Sequence, residues 1–218
     1  MNYRILQLAD SAFPTGGFAH SGGLEAALQL GEISGAGLED ALHTMLWQAG
    51  YGALPLVGAA FDEPERLPEF DAACDVFLSN HVSNRASRSQ GSAFLSATEK
   101  TFQLTELSFL REALRRDKLK QHYAPVFGSV TKMLDLTRGE SQRLFLFLAL
   151  RGALSAAVRL GIVGPYQGQQ IQSGCGEILE RVFARCHRLE VDDLAQPAPL
   201  PDLFHSMHDR LYSRLFQS

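Results

Sequence analysis

The residues most suggestive of covalent chemistry surround Ser21. The run Ala19-His20-Ser21-Gly22-Gly23 resembles the Gly-x-Ser-x-Gly turn that presents the nucleophile of many hydrolases. Here Ala19 replaces the first glycine, and no strand precedes the serine, although that strained turn requires one. A structural role is the alternative, in which the Ser21 hydroxyl caps a helix that starts near Leu24. The pattern favours this capping role over a serine hydrolase.

Histidine spacing raises the question of a metal site. His205 and His208 would share one helix face and could bind nickel or zinc, particularly across a dimer, and Cys186-His187 is a second pair. Neither pair supplies the roughly three or four ligands that a protein metal site normally needs. We therefore predict no metal site, with His205 and His208 as the only candidates. A small helical nickel-binding carrier remains the alternative function.

Nucleotide chemistry is not indicated. A phosphate-binding loop would require Gly-Lys-Ser/Thr, which is absent, and Gly35-Ala36-Gly37 lacks the rest of a dinucleotide fingerprint. The chain is therefore not itself predicted to be a GTPase, and no cofactor is predicted.

Two arginines could recognise an anionic group of a partner. Arg85 and Arg88 lie on one face of a predicted helix, among small residues, and their guanidinium groups suit a carboxylate or a phosphate. The alternative is that both are ordinary solvated surface arginines.

Bulk properties limit the classes of partner and the compartment. The 218 residues carry 20 basic and 24 acidic side chains without a basic stripe, which argues against nucleic acid. The three cysteines form no Cys-x-x-Cys pair, and Met1 to Asp10 lacks the features of a secretory signal. The longest apolar run, Leu144 to Leu150, is far shorter than the ~20 residues that cross a bilayer. A cytoplasmic protein without a membrane partner is predicted.

The elements that must position these residues are helices. Apolar residues recur at helical spacing nearly throughout, which predicts an all-α, single-domain helical bundle over residues 1–218. Glu140 to Leu160 reads as a central helix, and the stripe from Ile171 to Cys186 as one long helix. Apolar residues from Phe204 to Leu215 predict a short terminal helix. Because chain ends are usually polar, this end should be docked, either on the chain's own core or on another protein.

Two longer motifs carry a resemblance to a known family. Leu8 to Glu25 reads LADSAFPTGGFAHSGGLE, and Leu211 to Ser218 reads LYSRLFQS. Both resemble the corresponding ends of the urease accessory protein F family, with weaker matches at residues 122–128 and 159–169. The resemblance implies a non-enzymatic, all-α homodimer in urease maturation. Such a scaffold would bind the accessory protein UreD (also called UreH), recruit the GTPase UreG and help nickel reach apo-urease.

The resemblance and the residue types together predict two docking elements, the N-terminal segment 1–25 and the C-terminal tail 202–218. In the family, the positions that match Phe18 and Arg214 are associated with ordering the surface that meets the partners. The predicted partner-binding residues are Asp10, Ser11, Phe13, Pro14, Gly16, Phe18, His20, Ser21, Leu24, Glu25, Arg85, Arg88, Tyr212, Arg214, Leu215 and Phe216.

The residue types of the N-terminal motif suit a surface that binds another protein. Phe13-Pro14 is rigid and apolar, Phe18 supplies an anchor, and the glycines at 16, 17, 22 and 23 permit unusual backbone angles. The alternative is a tightly packed turn in which Phe13 and Phe18 are both buried in the core.

Overall fold

A computed structural model describes residues 3–218, so Met1 and Asn2 of the predicted N-terminal docking segment lie outside the described residues. Helices alone make up the regular structure of this range, which confirms the all-α prediction. In chain order the helices are α1 (Tyr3–Ala9), α2 (Leu24–Gln29), α3 (Leu38–Gly52), α4 (Leu54–Asp62), α5 (Leu67–Phe77), α6 (His81–Phe102), α7 (Thr105–Arg116), α8 (Tyr123–Met133), α9 (Arg138–Arg159), α10 (Pro165–Gly174), α11 (Gly176–Cys186) and α12 (Pro199–Met207).

Helix α9 is the central element, as its apolar sequence predicts. It packs against α3, α4, α8, α10 and α11, and it buries Leu146, Leu150 and Ala157 almost completely. Its start is fixed by a capping box, in which the Thr137 hydroxyl accepts from the Glu140 N–H and the Glu140 carboxylate accepts from the Thr137 N–H. The observed helix begins two residues before the predicted Glu140 and ends one residue before Leu160.

Helices α4 and α8 cross in close contact. A Cβ atom on Gly128 would lie only 2.2 Å from the carbonyl oxygen of Val57, so the two backbones touch directly at this glycine. Beside the crossing, the rings of Phe94, Phe127 and Phe145 form an aromatic cluster with centroid separations of 5.0 and 5.3 Å. This packed core supports the face on which the two chain ends lie.

The prediction of one long helix through Ile171 and Cys186 is wrong. Helix α10 ends at Gly174 and α11 starts at Gly176, with a break at Cys175. The two glycines beside Cys175 have low helix propensity, and the buried cysteine lies at the corner between the helices.

The predicted terminal helix is also wrong beyond Met207. Helix α12 ends there, a 3₁₀ turn covers His208–Arg210, and residues 211–218 are not helical. The reason is that the backbone N–H groups of Leu215 and Phe216 donate to the Glu25 carboxylate, far away in the sequence, instead of to a preceding helical turn.

Within residues 3–218, every helix is too short or too polar to span a bilayer.

Candidate functional site

A loop near the N-terminus and the C-terminal residues lie side by side on one face. We call residues 10–23 the signature loop and residues 208–218 the tail. The Ser21 N–H donates to the Ser218 carbonyl oxygen at 2.6 Å, and the Gln217 N–H donates to the Ala19 carbonyl oxygen at 2.8 Å. The segments that the sequence places almost 200 residues apart therefore form one continuous surface.

A buried carboxylate on α2 fixes the tail to the loop. The side chain of Glu25 is almost fully buried, and its oxygens accept from the Leu215 N–H at 2.5 Å and the Phe216 N–H at 3.2 Å. The Nε2 atom of the buried His208 lies 3.3 Å from the same carboxylate. Buried charge requires such partners, so Glu25 acts as the anchor of the tail.

A cation–π stack joins the loop, the tail and helix α9. The Arg159 guanidinium carbon lies 3.9 Å from the ring centroid of Phe18 and 4.2 Å from that of Phe216. Arg159 also donates to the Phe18 carbonyl oxygen at 2.6 Å. This arginine therefore orients Phe18 and ties it to the tail. The sequence reasoning gave Arg159 no such role, because only the fold brings it to these rings.

Glycines allow the loop to lie against its supporting helices. Gly16 and Gly23 have φ values of +79° and +93°, in the region that L side chains rarely adopt. A Cβ atom on Gly16 would lie 2.9 Å from Ala93 Cβ on α6, and one on Gly23 would lie 3.0 Å from the His205 nitrogen on α12. The expectation of unusual angles holds for these two glycines and for Gly22, but Gly17 lies in a 3₁₀ turn without a positive φ.

The sequence left open whether the aromatic residues of the loop are exposed anchors or buried in the core. The structure buries Phe13 and exposes Phe18. Phe13 is buried and packs on Phe102 of α6, with ring centroids 6.2 Å apart. Phe18 is 67% exposed. Phe13 therefore holds the loop on the core, while Phe18 is available for contact.

The carboxylate of Asp209, near the start of the tail, contacts three basic side chains. Its carboxylate accepts from Arg85 Nη2 at 2.8 Å, lies 3.1 Å from His81 Nε2 and accepts from Arg214 Nη1 at 3.4 Å. The Arg85 hydrogen bonds are the main cause that lowers the Asp209 pKa to about 2, with a smaller effect from His81. Arg85 is therefore tied to the tail, while Arg88 is exposed on the same helix.

The predicted partner-binding residues divide by exposure. The exposed ones are Asp10, Ser11, Pro14, Phe18, Arg85, Arg88, Tyr212, Arg214 and Leu215, and Gly16 and His20 are partly exposed. The buried ones are Phe13, Ser21, Leu24, Glu25 and Phe216. The side chains of these five face the chain's own interior, and a part for them in partner binding stays a prediction. The tail is thus docked on its own core through Phe216, while Tyr212 and Leu215 face outward.

The histidine pair is not arranged as a metal site. His205 Nδ1 bonds to Ser83 Oγ at 2.9 Å, and His208 is fully buried beside Glu25. Cys186 is buried in the core. In the part of the chain that the structure describes, no three His, Cys, Asp or Glu side chains converge as metal ligands. Nothing in this geometry favours the nickel-carrier alternative.

Ser21 fits neither of its predicted roles. It is almost fully buried, and its hydroxyl has no hydrogen-bond partner among residues 3–218. The adjacent His20 ring bonds to Ser218 Oγ at 2.5 Å and not to Ser21. Helix α2 is capped by Gly23 without a side-chain bond, so the capping prediction is wrong. A serine without a base partner also lacks the activation that a nucleophile requires.

Comparison with known proteins gives a consistent result across the chain. A family model described as UreF matches residues 34–176. The chain is 38% identical to a protein of Arabidopsis thaliana named urease accessory protein F, over all of this chain and 93% of that protein. It is 34% identical to a protein of the same name from Oryza sativa subsp. indica, over 96% of this chain and 82% of that protein. It is 26% identical to urease accessory protein UreF of Trichodesmium erythraeum, over 97% and 94% of the two chains.

Proposed function

The chain belongs to the UreF family of urease accessory proteins, and from that premise we propose that it is a non-catalytic scaffold in the nickel-delivery complex of urease maturation. In this role it binds the UreD/UreH accessory protein, recruits and regulates the GTPase UreG, and thereby assists nickel insertion into apo-urease. We further propose, from the resemblance, that it acts as a cytoplasmic homodimer.

The observation that carries the proposal is the composite surface made by the signature loop and the tail. Phe18 is 67% exposed, Tyr212 is fully exposed and Leu215 is 53% exposed. Aromatic side chains in a fixed position are typical anchors of protein interfaces, since little conformational entropy is lost when they bind. Arg159 and Glu25 provide that fixation from below. The surface therefore has the character of a preformed docking site.

Charge around these aromatic residues supports the choice of a protein partner. Arg88, Arg210 and Arg214 are exposed near or on the tail, and Arg85 is half-exposed beside Asp209. A mixed rim with excess positive charge favours a partner with an acidic rim and contributes to the rate and register of association. We thus propose that the apolar anchors make the main contact with the partner and that the arginines orient it.

The non-catalytic part of the proposal is supported by what the candidate groups do in the fold. Ser21 lacks a base, His20 and His205 are bonded to serine hydroxyls, and Glu25 is occupied by backbone N–H groups. The bonds of His20, His205 and Glu25 hold the surface together, and the Ser21 hydroxyl makes none.

Calorimetric titration with the purified UreD/UreH-type partner tests the proposal. We expect Phe18→Ala and Tyr212→Ala each to weaken binding by about tenfold or more, as interface anchors do. Tyr166→Ala is the matched control, because Tyr166 is 89% exposed on α10, outside the signature loop and the tail. Unchanged affinity in both anchor variants, or an equal loss in the control, would contradict the docking surface.

A further inference from the structure

A half-open groove of about 530 Å³ lies beneath the signature loop. Phe18 forms part of its wall, and Leu42 and Met45 of α3 and Leu148 of α9 contribute apolar side chains. Pockets that bind organic ligands have volumes of roughly 300–1,000 Å³, so at least one large side chain of a partner fits into this space. Because Phe18 belongs to both, the groove is an inward extension of the proposed docking surface.

Arg151 of α9, in the wall of the groove, has an incomplete set of partners. Its Nη1 atom donates to the Ala9 carbonyl oxygen at the end of α1. Among residues 3–218, Arg151 makes no other hydrogen bond and no ion pair, and its remaining nitrogen atoms are not fully buried. A guanidinium has five N–H donors, and its planar shape matches a carboxylate that accepts from two of them. Arg151 can therefore bind an acceptor that enters the groove.

No carboxylate of the described residues neutralises the charge of Arg151. Burial lowers the pKa of Arg151, and the electrostatic effects of Tyr123 and Asp10 oppose this only in part. Asp10 is exposed and accepts from a backbone N–H of its own loop. Asp202, also in the wall, already accepts from two uncharged side chains. A partly buried cation without a counter-charge favours the binding of an anionic group.

The position of the groove favours a protein segment as the source of that anion. Phe18 is 67% exposed and also lines the groove, so a partner that packs on Phe18 lies beside the opening. Arg88, Arg210 and Arg214 are exposed near or on the tail, and they favour a partner with acidic residues. Arg151 continues this positive charge into an apolar space.

We propose that the groove accepts a segment of the protein partner in which an Asp or Glu side chain stands next to a large apolar side chain. The carboxylate pairs with Arg151, and the apolar side chain packs between α3 and α9. This inference rests on the proposed scaffold function and deepens it, because it states which chemistry of the partner the surface recognises. Since the bound segment shields the pair from water, its loss weakens binding more than the loss of a rim arginine does.

The first test measures the affinity of the UreD/UreH-type partner by calorimetry. Arg151→Gln should bind it at least about tenfold more weakly than the native chain, which corresponds to the loss of one charged hydrogen bond. Arg151→Lys keeps the charge and should lose less affinity. Arg181→Gln is the matched control, because Arg181 is exposed on α11 outside the groove. Thermal melts check that each variant is folded.

A second pair of variants tests whether the groove itself is occupied. Gly152 lines the groove, and nothing lies within 4 Å of where its Cβ would be, so Gly152→Leu places a side chain in the space. This variant should also bind the partner at least about tenfold more weakly. Gly174→Leu should bind like the native chain, because Gly174 is an open helical glycine exposed at the end of α10.

A charge exchange then tests for the ion pair. Each exposed Asp and Glu of the partner is changed singly to Lys, and every variant is titrated against the native chain and against Arg151→Glu. We expect one partner variant to bind Arg151→Glu more tightly than it binds the native chain. If no variant reverses its preference in this way, Arg151 acts only within its own chain and the proposal is overturned.

The remaining outcomes separate this inference from the proposed function. If Phe18→Ala weakens partner binding but Arg151→Gln and Gly152→Leu do not, the groove proposal is overturned and the scaffold function stands. If the native chain does not bind the partner, both are overturned. A change in self-association of Arg151→Gln, measured by sedimentation without the partner, would make a second copy of the chain the occupant and would also overturn the proposal.

Discussion

At the scale of single residues, Glu25 is the most consequential side chain of the proposed docking face. Its carboxylate joins α2 to the tail through two backbone N–H groups and lies beside His208. Both its oxygens act as acceptors, whereas a glutamine amide would supply only one acceptor oxygen.

We predict that Glu25→Gln destabilises the protein. The amide retains one acceptor oxygen but places N–H donors against a backbone N–H, which leaves a buried donor unpaired at a cost of about 1–3 kcal/mol. Urea denaturation followed by circular dichroism measures the change in unfolding free energy. Glu32→Gln is the control, because Glu32 is exposed just beyond α2. If both variants lose the same stability, the anchoring role of Glu25 is wrong.

The carboxyl group of Asp209 provides a pH-dependent prediction. Its pKa is lowered to about 2 from an ordinary 3.8, mainly by the Arg85 hydrogen bonds. Because the folded pKa is lower than the unfolded one, the stabilisation is present above about pH 4 and is lost as the pH falls through about 2. Solvent screening keeps its size small, since Arg85 is half-exposed.

An NMR titration of the Asp209 side-chain carbon measures this directly. We expect a midpoint near pH 2 in the native protein and a rise towards 3.8 in Arg85→Gln. His81→Gln should produce a smaller rise, because His81 contributes less than Arg85 to the lowering of the pKa. A midpoint that stays the same after removal of Arg85 would show that this ion pair does not form in solution.

Residue types were readable from the sequence, whereas their partners were not. Phe18, Arg214 and Glu25 stand in the motifs that resemble the family, so the sequence marked them as site residues. Arg159 contacts Phe18 from 141 positions away, and Glu25 accepts from residues 190 positions away. No local sequence pattern shows which residues so far apart in the chain will touch. Those contacts decide which side chains are buried and which are exposed. This is why the buried members of the predicted set could not be separated from the exposed ones.

At the scale of elements, the crossing of α4 and α8 sets the shape of the core. Two helix backbones can touch only where a side chain is missing, and Gly128 provides that point against Val57. Gly152, one helix later, faces open space. Position 128 therefore has no room for a side chain, whereas position 152 has room for one, although both lie within helices.

We predict that Gly128→Ala and Gly152→Ala change stability in opposite directions. The added methyl group at position 128 would collide with a backbone oxygen at 2.2 Å, which should cost at least about 1–3 kcal/mol. At position 152 alanine only improves helix propensity and should stabilise by up to about 1 kcal/mol. Thermal and urea denaturation of both variants measure the difference. A neutral Gly128→Ala would contradict the tight crossing.

Helix positions were predictable because apolar periodicity reports which face is buried. The α9 prediction is accurate to two residues at its start and one at its end, because its long apolar core is a local signal. The break at Cys175 and the end of α12 were missed for different reasons. The helical spacing of apolar residues continues across Cys175, so it gives no sign of the break. In the tail, a backbone N–H group donates to the distant Glu25 carboxylate and not to a helical carbonyl oxygen.

At the scale of the whole molecule, the main finding is that the signature loop and the C-terminal tail form one face. The resemblance and the residue types predicted segments 1–25 and 202–218 as separate docking elements, and the hydrogen bond between the backbones of Ser21 and Ser218 makes the signature loop and the tail neighbours. Mutations behind this face, at Arg159 or Glu25, should act on partner binding through the position of Phe18 and the tail. The surface is a composite, and neither segment forms it alone.

Hydrogen exchange, measured with and without the proposed UreD/UreH-type partner, tests this central claim most directly. On addition of the partner, we expect the amides of residues 10–23 and those of residues 208–218 to gain protection together. Helix α10 (Pro165–Gly174) should remain unchanged as the internal reference. Protection of only one of the two segments, or of α10 in their place, would contradict the account.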